Sequence, residues 1–337
     1  MADNILDVPS GRGAVVVCSD ANWAWQSSFL LMRALALDPG AALDHHLYLT
    51  GPVDPRILAL LPPEIAVHRV DSLPDSFASA ATGHIPAATM LRMIALEELA
   101  PRYARVIYLD GDVFQAHGAL ADLMQVDMGG KALAAVRDRA QWSAHERRWL
   151  RRYFDGLAQE AGIARLDYFN AGVLMVDGPQ FSARGLARVA VDFHRQRPEL
   201  CKFGDQSALN FALAGNWCEL SPAWNWQVSQ QILVLAAGQD PRLIHFTGPI
   251  KPWNDAYRIF PPEAFGAMLA FLERHDLVDL LTPEAPVHFD PGRMERVRMR
   301  KLQRWEGDEA GKRELVESYL ARRDFADLRL QPTVPQQ

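Results

Sequence analysis

Cysteine is scarce in this chain of 337 residues. Cys18, Cys201 and Cys218 have no metal-site spacing and are too few for a disulfide framework, which fits a reducing compartment. No stretch reaches the ~20 apolar residues that span a bilayer; even Phe29 to Leu37 is interrupted by Arg33. An excess of basic charge is missing as well, and a net charge of −6 gives no support to a nucleic-acid binder. Residues Met1 to Gly13 carry acids and lack an apolar core, so they are expected to form an N-terminal arm rather than a secretory signal. Internal repeats and low-complexity tracts are absent. The expectation is a soluble, cytoplasmic protein, attached to a membrane at most by its surface.

Apolar residues make up 49% of the chain and charged residues 23%, ordinary values for a globular protein long enough to bury a substantial core. Strand-like runs alternate with helical patterns through the first half, which argues for an α/β layered sheet. Strands are expected at Ala14–Cys18, His46–Leu49, Ile65–Val70, around Val106, at Ala132–Val136, Ala171–Val176 and Leu243–Phe246. Helices are expected over Ser27–Leu37, Pro55–Leu61, Pro86–Leu99, Phe181–Arg197, Asp205–Ala214 and Phe265–Leu281.

One junction stands out. The apolar run Arg105-Val106-Ile107-Tyr108-Leu109 leads straight into Asp110-Gly111-Asp112. Residues at i and i+2 on an extended chain point the same way, and the glycine between them lets the backbone turn as the strand ends. Two acids so close repel, and a divalent cation relieves the repulsion; hard oxygen ligands favour magnesium or manganese. A plain acidic surface turn is the competing reading.

Five further segments join this junction in a recognisable order: Cys18-Ser19-Asp20-Ala21-Asn22-Trp23; His84-Ile85 with Arg92; Tyr168-Phe169-Asn170-Ala171-Gly172-Val173-Leu174; Gly204-Asp205-Gln206-Ser207-Ala208-Leu209-Asn210; and His245-Phe246-Thr247-Gly248-Pro249-Ile250-Lys251-Pro252-Trp253. In this order and at these separations the chain resembles the family 8 retaining glycosyltransferases over roughly residues 14 to 255. That family includes lipopolysaccharide galactosyl- and glucosyltransferases and glycogenin. The resemblance implies a GT-A fold, with a mixed, mostly parallel sheet flanked by helices, over residues 14–260. Residues 261–337 would form a helical, partly basic extension.

It also implies roles. Asp110, Asp112 and His245 would hold Mn2+ or Mg2+ against the diphosphate of a UDP-hexose. Lys251 would neutralise the departing phosphate, and Gly248 would let backbone approach it. His84 and Ile85 match a diphosphate-contacting segment, with Gly111 at the acid turn. Cys18, Asp20 and Asn22 fall where the family binds uridine. Asp205 and Gln206 would lie at the sugar, with Gln206 near the anomeric carbon; Asn170 and Ala171 would touch sugar or ribose, and Arg92 and Asp138 the sugar hydroxyls. Several bland readings stay open. Asp20 and Asn22 are common turn residues, Asp205 can simply cap its helix, and Asp138 between Arg137 and Arg139 can be a surface ion pair.

The implied reaction moves a hexose from UDP-galactose or UDP-glucose to a hydroxyl of a saccharide or lipid-linked saccharide, with retention, in lipopolysaccharide or other cell-surface glycan synthesis. Ala21 replaces a frequent acid, and Met90-Leu91 stand where many bacterial members carry a tyrosine, which leaves the donor open. A nucleotidyltransferase is a competing class, although Ser19 to Trp25 lacks the glycines of a phosphate loop. A sugar-nucleotide binder without transferase activity is another. Trp224 and Trp226, flanking Asn225, suit either a sugar-stacking wall or a buried core. Arg293 to Arg304 carries six basic residues and one acid, which suits either a solvated helix face or attachment to anionic lipid.

Overall fold

The computed structural model describes residues 12–72, 87–142, 148–228, 240–255, 260, 262–281, 296, 299–300, 303 and 313–329. Its first half alternates strand and helix: β1 (Gly13–Asp20), α1 (Ala24–Leu37), β2 (Leu43–Thr50), α2 (Pro55–Leu60), β3 (Ile65–Arg69), α3 (Ala87–Leu99) and β4 (Arg105–Asp110). There follow β5 (Val113–Gln115), β6 (Leu133–Arg137), the short α4 (Arg139–Trp142), α5 (Arg148–Glu160) and β7 (Phe169–Asp177). Then come α6 (Gly178–Ala183), α7 (Leu186–Gln196), α8 (Asp205–Leu213), β8 (Cys218–Glu219), β9 (Trp226–Val228), β10 (Leu243–Phe246), α9 (Pro262–Arg274) and α10 (Arg313–Leu320).

Seven strands form the main sheet in the order β3-β2-β1-β4-β7-β6-β8. Four of the pairings are parallel, and β7 runs antiparallel between β4 and β6. Because β1 has β2 on one side and β4 on the other, the chain changes direction across the sheet there, and in open α/β sheets ligands bind outside the carboxyl ends of strands at such a point. Alternation along β1 serves both faces. Val15 and Val17 enter one hydrophobic cluster with α1, while Ala14, Val16 and Cys18 enter another with α3 and α7. Met268, Leu272, Leu277 and Phe325 extend the α1-side cluster, and Phe29 meets Phe271 at 5.3 Å between ring centres.

A second, three-stranded sheet, β5-β10-β9, carries the site's other half. β10 pairs antiparallel with β5, setting His245 opposite Val113, and Phe246 N–H donates to the carbonyl of Asp112 at 3.1 Å. This register brings His245 beside a carboxylate far away in sequence.

Three expectations change. The helix read as Phe181–Arg197 is two helices, α6 and α7, broken at Gly185 with φ 56°, a left-handed conformation that suits glycine. The helix read as Phe265–Leu281 ends at Arg274, with Asp276 at φ 54° turning the chain. Unforeseen α5 buries Leu150, Tyr153, Phe154, Leu157 and Ala158, a helical stripe hidden in the sequence by arginines. The start of the α3 reading, Pro86, lies outside the described residues. Among the described residues no helix is long and apolar enough to cross a membrane.

Buried beneath the edge of the main sheet, His46 shows how burial fixes a protonation state. Tyr103 Oη donates to Asp44 Oδ2 at 2.8 Å, so it accepts from His46 Nε2 at 2.9 Å. His46 Nδ1 is then an acceptor for His68 Nε2 at 2.9 Å. Burial first, and then the neighbouring His68, push the His46 pKa down to about 4. The unfolded chain therefore binds the extra proton between about pH 6.5 and 4, and stability falls as pH drops through that window. Between pH 7 and 5 this group is expected to remove about 2 kcal/mol of stability. Comparing unfolding midpoints of the wild type and His46→Gln across that range checks it: the variant should lose less.

Candidate active site

At the end of β4 the two acids and the distant histidine converge. Asp110, Asp112 and His245 each offer one ligand atom, all within 4.8 Å of one another. His245 Nε2 lies 3.1 Å from Asp112 Oδ1 and 3.8 Å from Asp110 Oδ2. Two carboxylates and one imidazole are a donor set for a hard or borderline divalent cation such as Mg2+ or Mn2+. α1 comes close to Gly111 between the acids: a Cβ there would lie 2.5 Å from Ser27 Oγ, so the serine hydroxyl would have to turn away.

Charge compensation surrounds the pair. The Lys251 ammonium sits 2.6 Å from Asp112 Oδ2 and also donates to the Phe246 carbonyl. Burial raises the pKa of Asp112, but Lys251 and His245 more than reverse this, and the carboxyl ends well below the usual range. Asp110 Oδ1 accepts from Tyr108 Oη at 2.7 Å and from Arg92 Nη2 at 2.6 Å. Arg92, lying over the Tyr108 ring at 4.4 Å, also pairs with Asp205 Oδ2 at 3.1 Å. Burial pushes the Asp205 pKa up to about 6; Arg92 opposes this and Asp110 adds to it.

A second cluster lies at the start of β7 and α8. Asp138 Oδ2 accepts from Gln206 Nε2 at 3.1 Å and from Asn170 Nδ2 at 3.2 Å. Gln206 Oε1 accepts from Ala171 N–H at 3.0 Å, so both ends of this amide are engaged. Asp138 is thus tied to Gln206 and Asn170 rather than to its flanking arginines. Asn210 anchors the strand by accepting from Phe169 N–H at 2.9 Å.

The other expected residues fall into place unevenly. Asp20 caps a short 3₁₀ turn, accepting from Asn22 N–H at 2.9 Å and Trp23 N–H at 3.2 Å, so its turn-forming reading is realised; Asn22 is exposed beside it. Cys18 pairs in register with Asp110, but its side chain packs into the core and burial pushes its thiol pKa far up. Gly248 has φ 96°, a conformation that favours glycine. Trp253 meets Trp23 and Trp25 edge-on at 5.6 and 5.9 Å, which fastens the Lys251 loop to the start of α1. His84 and Ile85 lie outside the described residues, as does most of Arg293–Arg304.

Trp224 and Trp226 are buried, so they make no stacking wall. Between them, Asn225 is fully buried and touches both His245 and Asn170. Sequence reasoning passed over Asn225 and also Gly172, whose importance depends on neighbours remote in the chain.

A model of glycosyl transferase family 8 matches residues 62–256. Glycosyltransferase GlyF of Streptococcus pneumoniae is 28% identical over 185 residues, 53% of this chain and 41% of that protein. Lipopolysaccharide 1,3-galactosyltransferase of Salmonella typhimurium is 25% identical over 175 residues, 50% of this chain and 49% of that protein. The chain thus spans about half the length, or less, of these curated relatives. A crystal structure of the galactosyltransferase LgtC with donor and acceptor sugar analogs superposes with a TM-score of 0.58 at 23% identity, covering 80% of this chain and 98% of that one. At that identity the likeness is one of fold, and the fold is GT-A.

Gly172 gives the cluster a direct test. A Cβ at this position would fall 2.5 Å from His245 Nδ1 and closer still to its Cε1, so the imidazole must move. For a divalent cation held by this cluster, Gly172→Ala is expected to weaken binding by about 10–100-fold, the range for disturbing a ligand's support. Paramagnetic titration of free Mn2+ measures this, with circular dichroism to show that the fold persists.

Proposed function

The chain belongs to glycosyl transferase family 8, and from that premise we propose that it is a metal-dependent retaining hexosyltransferase. It takes UDP-galactose or UDP-glucose as donor and a saccharide or lipid-linked saccharide hydroxyl as acceptor, in lipopolysaccharide or other cell-surface glycan synthesis. Residues 14–260 form the transferase domain and 261–337 its extension. We place it in the cytoplasm, with Arg293–Arg304 as a peripheral membrane contact. The observation that carries this reading is the convergence of Asp110, Asp112 and His245, with Lys251 on Asp112.

In this reading Asp110, Asp112 and His245 hold Mn2+ or Mg2+. Bound there, the cation supplies positive charge to a diphosphate. Lys251 offers a second positive charge for the leaving phosphate, and Gly248 leaves room for it. Asp20 and Asn22 face the uridine end, beside Cys18. Arg92, Asp138 and Asp205 orient the sugar's hydroxyls, with Asn170 and Ala171 against sugar or ribose.

Transfer breaks the bond between the anomeric carbon and the UDP oxygen and forms one to the acceptor oxygen on the same face. The acceptor's proton passes to the departing phosphate. The Gln206 amide, held at both ends by Ala171 and Asp138, serves as a fixed dipole beside the positive anomeric carbon rather than as a nucleophile.

With Mn2+ and UDP-hexose, the protein is expected to release UDP slowly to water and faster to a suitable acceptor. Asp112→Asn should lower that rate by about 10²–10³-fold, as for removal of an electrostatic stabiliser. Mass analysis of the transferred hexose identifies the donor. Tight donor binding with no UDP release from any hexose donor would mark a binder; pyrophosphate release from a nucleoside triphosphate would mark a nucleotidyltransferase.

A further inference from the structure

Asn225 joins the two clusters of the site through a chain of hydrogen bonds whose direction can be worked out. We propose that Asn225 is a positioning residue that keeps the proton of His245 on Nδ1, so that Nε2 is the nitrogen presented to the cation, and that Asn170 dictates its orientation.

The argument starts from groups that cannot reverse. The Gly172 backbone N–H can only donate, and it donates to Asn170 Oδ1 at 3.0 Å. The Asp138 carboxylate accepts from Ala140 N–H, Gln206 Nε2 and Asn170 Nδ2. These two anchors fix the Asn170 amide with its oxygen towards Asn225. An oxygen there demands a donor, and Asn225 Nδ2 supplies it at 2.9 Å. The same amide must then turn its own oxygen to His245 Nδ1, 3.1 Å away. A carbonyl oxygen only accepts, so Nδ1 carries a proton. Nε2 is the nitrogen left to face Asp112 and Asp110.

Burial makes the arrangement stiff. Asn225 is fully buried and His245 almost so, and reversing the amide would set oxygen against oxygen at Asn170 and an N–H against the Nδ1 proton. The chain also ends on Asp138, the residue that holds Gln206. One polarised path therefore orients both the amide of the sugar cluster and the imidazole of the acid cluster.

The proposal rests on reading Asp110, Asp112 and His245 as a cation site, and its test separates the two ideas. Protein labelled with ¹⁵N-histidine, with the His245 signals assigned by their loss in His245→Gln, reports each ring nitrogen directly. His245 Nδ1 is expected at its proton-bearing shift both without metal and during a Mg2+ titration. Asn225→Leu, which keeps the shape but not the polarity, should weaken Mn2+ binding about 10–100-fold. Asn225→Asp still accepts from Nδ1 while losing its donor to Asn170, so it should melt earlier yet bind Mn2+ nearly as the wild type does. A purely structural Asn225 would make binding follow melting in both variants. An unprotonated Nδ1 in the wild type, unchanged Mn2+ affinity in a folded Asn225→Leu, or equal weakening in Asn225→Asp overturns the proposal. If the wild type takes up no Mn2+, the cation reading fails, while the Nδ1 signal still decides the proton's position.

Discussion

Like charge held close together is the constraint on which this site depends. Asp110 and Asp112 stand at the end of a buried strand, where two like charges so close repel each other. The chain answers with a separate partner for each. Arg92 reaches Asp110 from α3, and Lys251 reaches Asp112 from the loop after β10. Both cations are themselves buried, which makes the compensation mutual: removing either member of a pair would strand the other in a poorly solvated place. The Tyr108 hydroxyl and the Phe246 carbonyl take up further hydrogen-bonding capacity of these groups.

Two sheets make the meeting possible. Strand β4 delivers the acids, and the turn at Gly111 passes the chain directly into β5 of the smaller sheet. Pairing of β5 with β10 then sets His245 by the acids, and the chain after β10 carries Lys251 back to them. A slip of one residue in this short ladder would turn His245 to the opposite face, so the buried neighbours of β10 act indirectly as guardians of the site. Gly172 on β7 supplies the last condition, an absence of side chain where the imidazole ring lies.

How much of this could be read in the sequence depends on how local each signal is. The acid pair was legible because an apolar run, a glycine and the i, i+2 spacing all lie within a few residues. Most of the main strands were legible because they are continuous buried runs, whereas β3 is largely exposed beyond Ile65. His245, Lys251 and Gln206 had no local mark and came into view only through resemblance to a family. Asn225 and Gly172 could not be read at all, since their roles exist only where β7, β9 and β10 come together. Strands β5, β8 and β9 are too short for any periodicity to show. Helix α5 failed for the opposite reason: its regular stripe was masked by the arginines between the buried positions. At Asp20 the ordinary reading of the residue type, a turn cap, described what the side chain does.

The two clusters belong to different elements, and buried side chains link them into one site. Asp110, Asp112, His245 and Lys251 hang on β4 and the small sheet, whereas Gln206, Asp138 and Asn170 hang on α8, β6 and β7. Arg92 bridges them on one side by pairing with Asp110 and Asp205 together, and Asn225 bridges them on the other. The same-face transfer proposed for this site needs the leaving oxygen and the incoming oxygen on one side of a carbon at the same time. Little tolerance exists for either group to drift, because the gain from orientation is lost over distances of about 1 Å. A site assembled from two independently mobile halves would meet that demand poorly. Here buried side chains join the halves on both sides, Arg92 on one and Asn225 on the other.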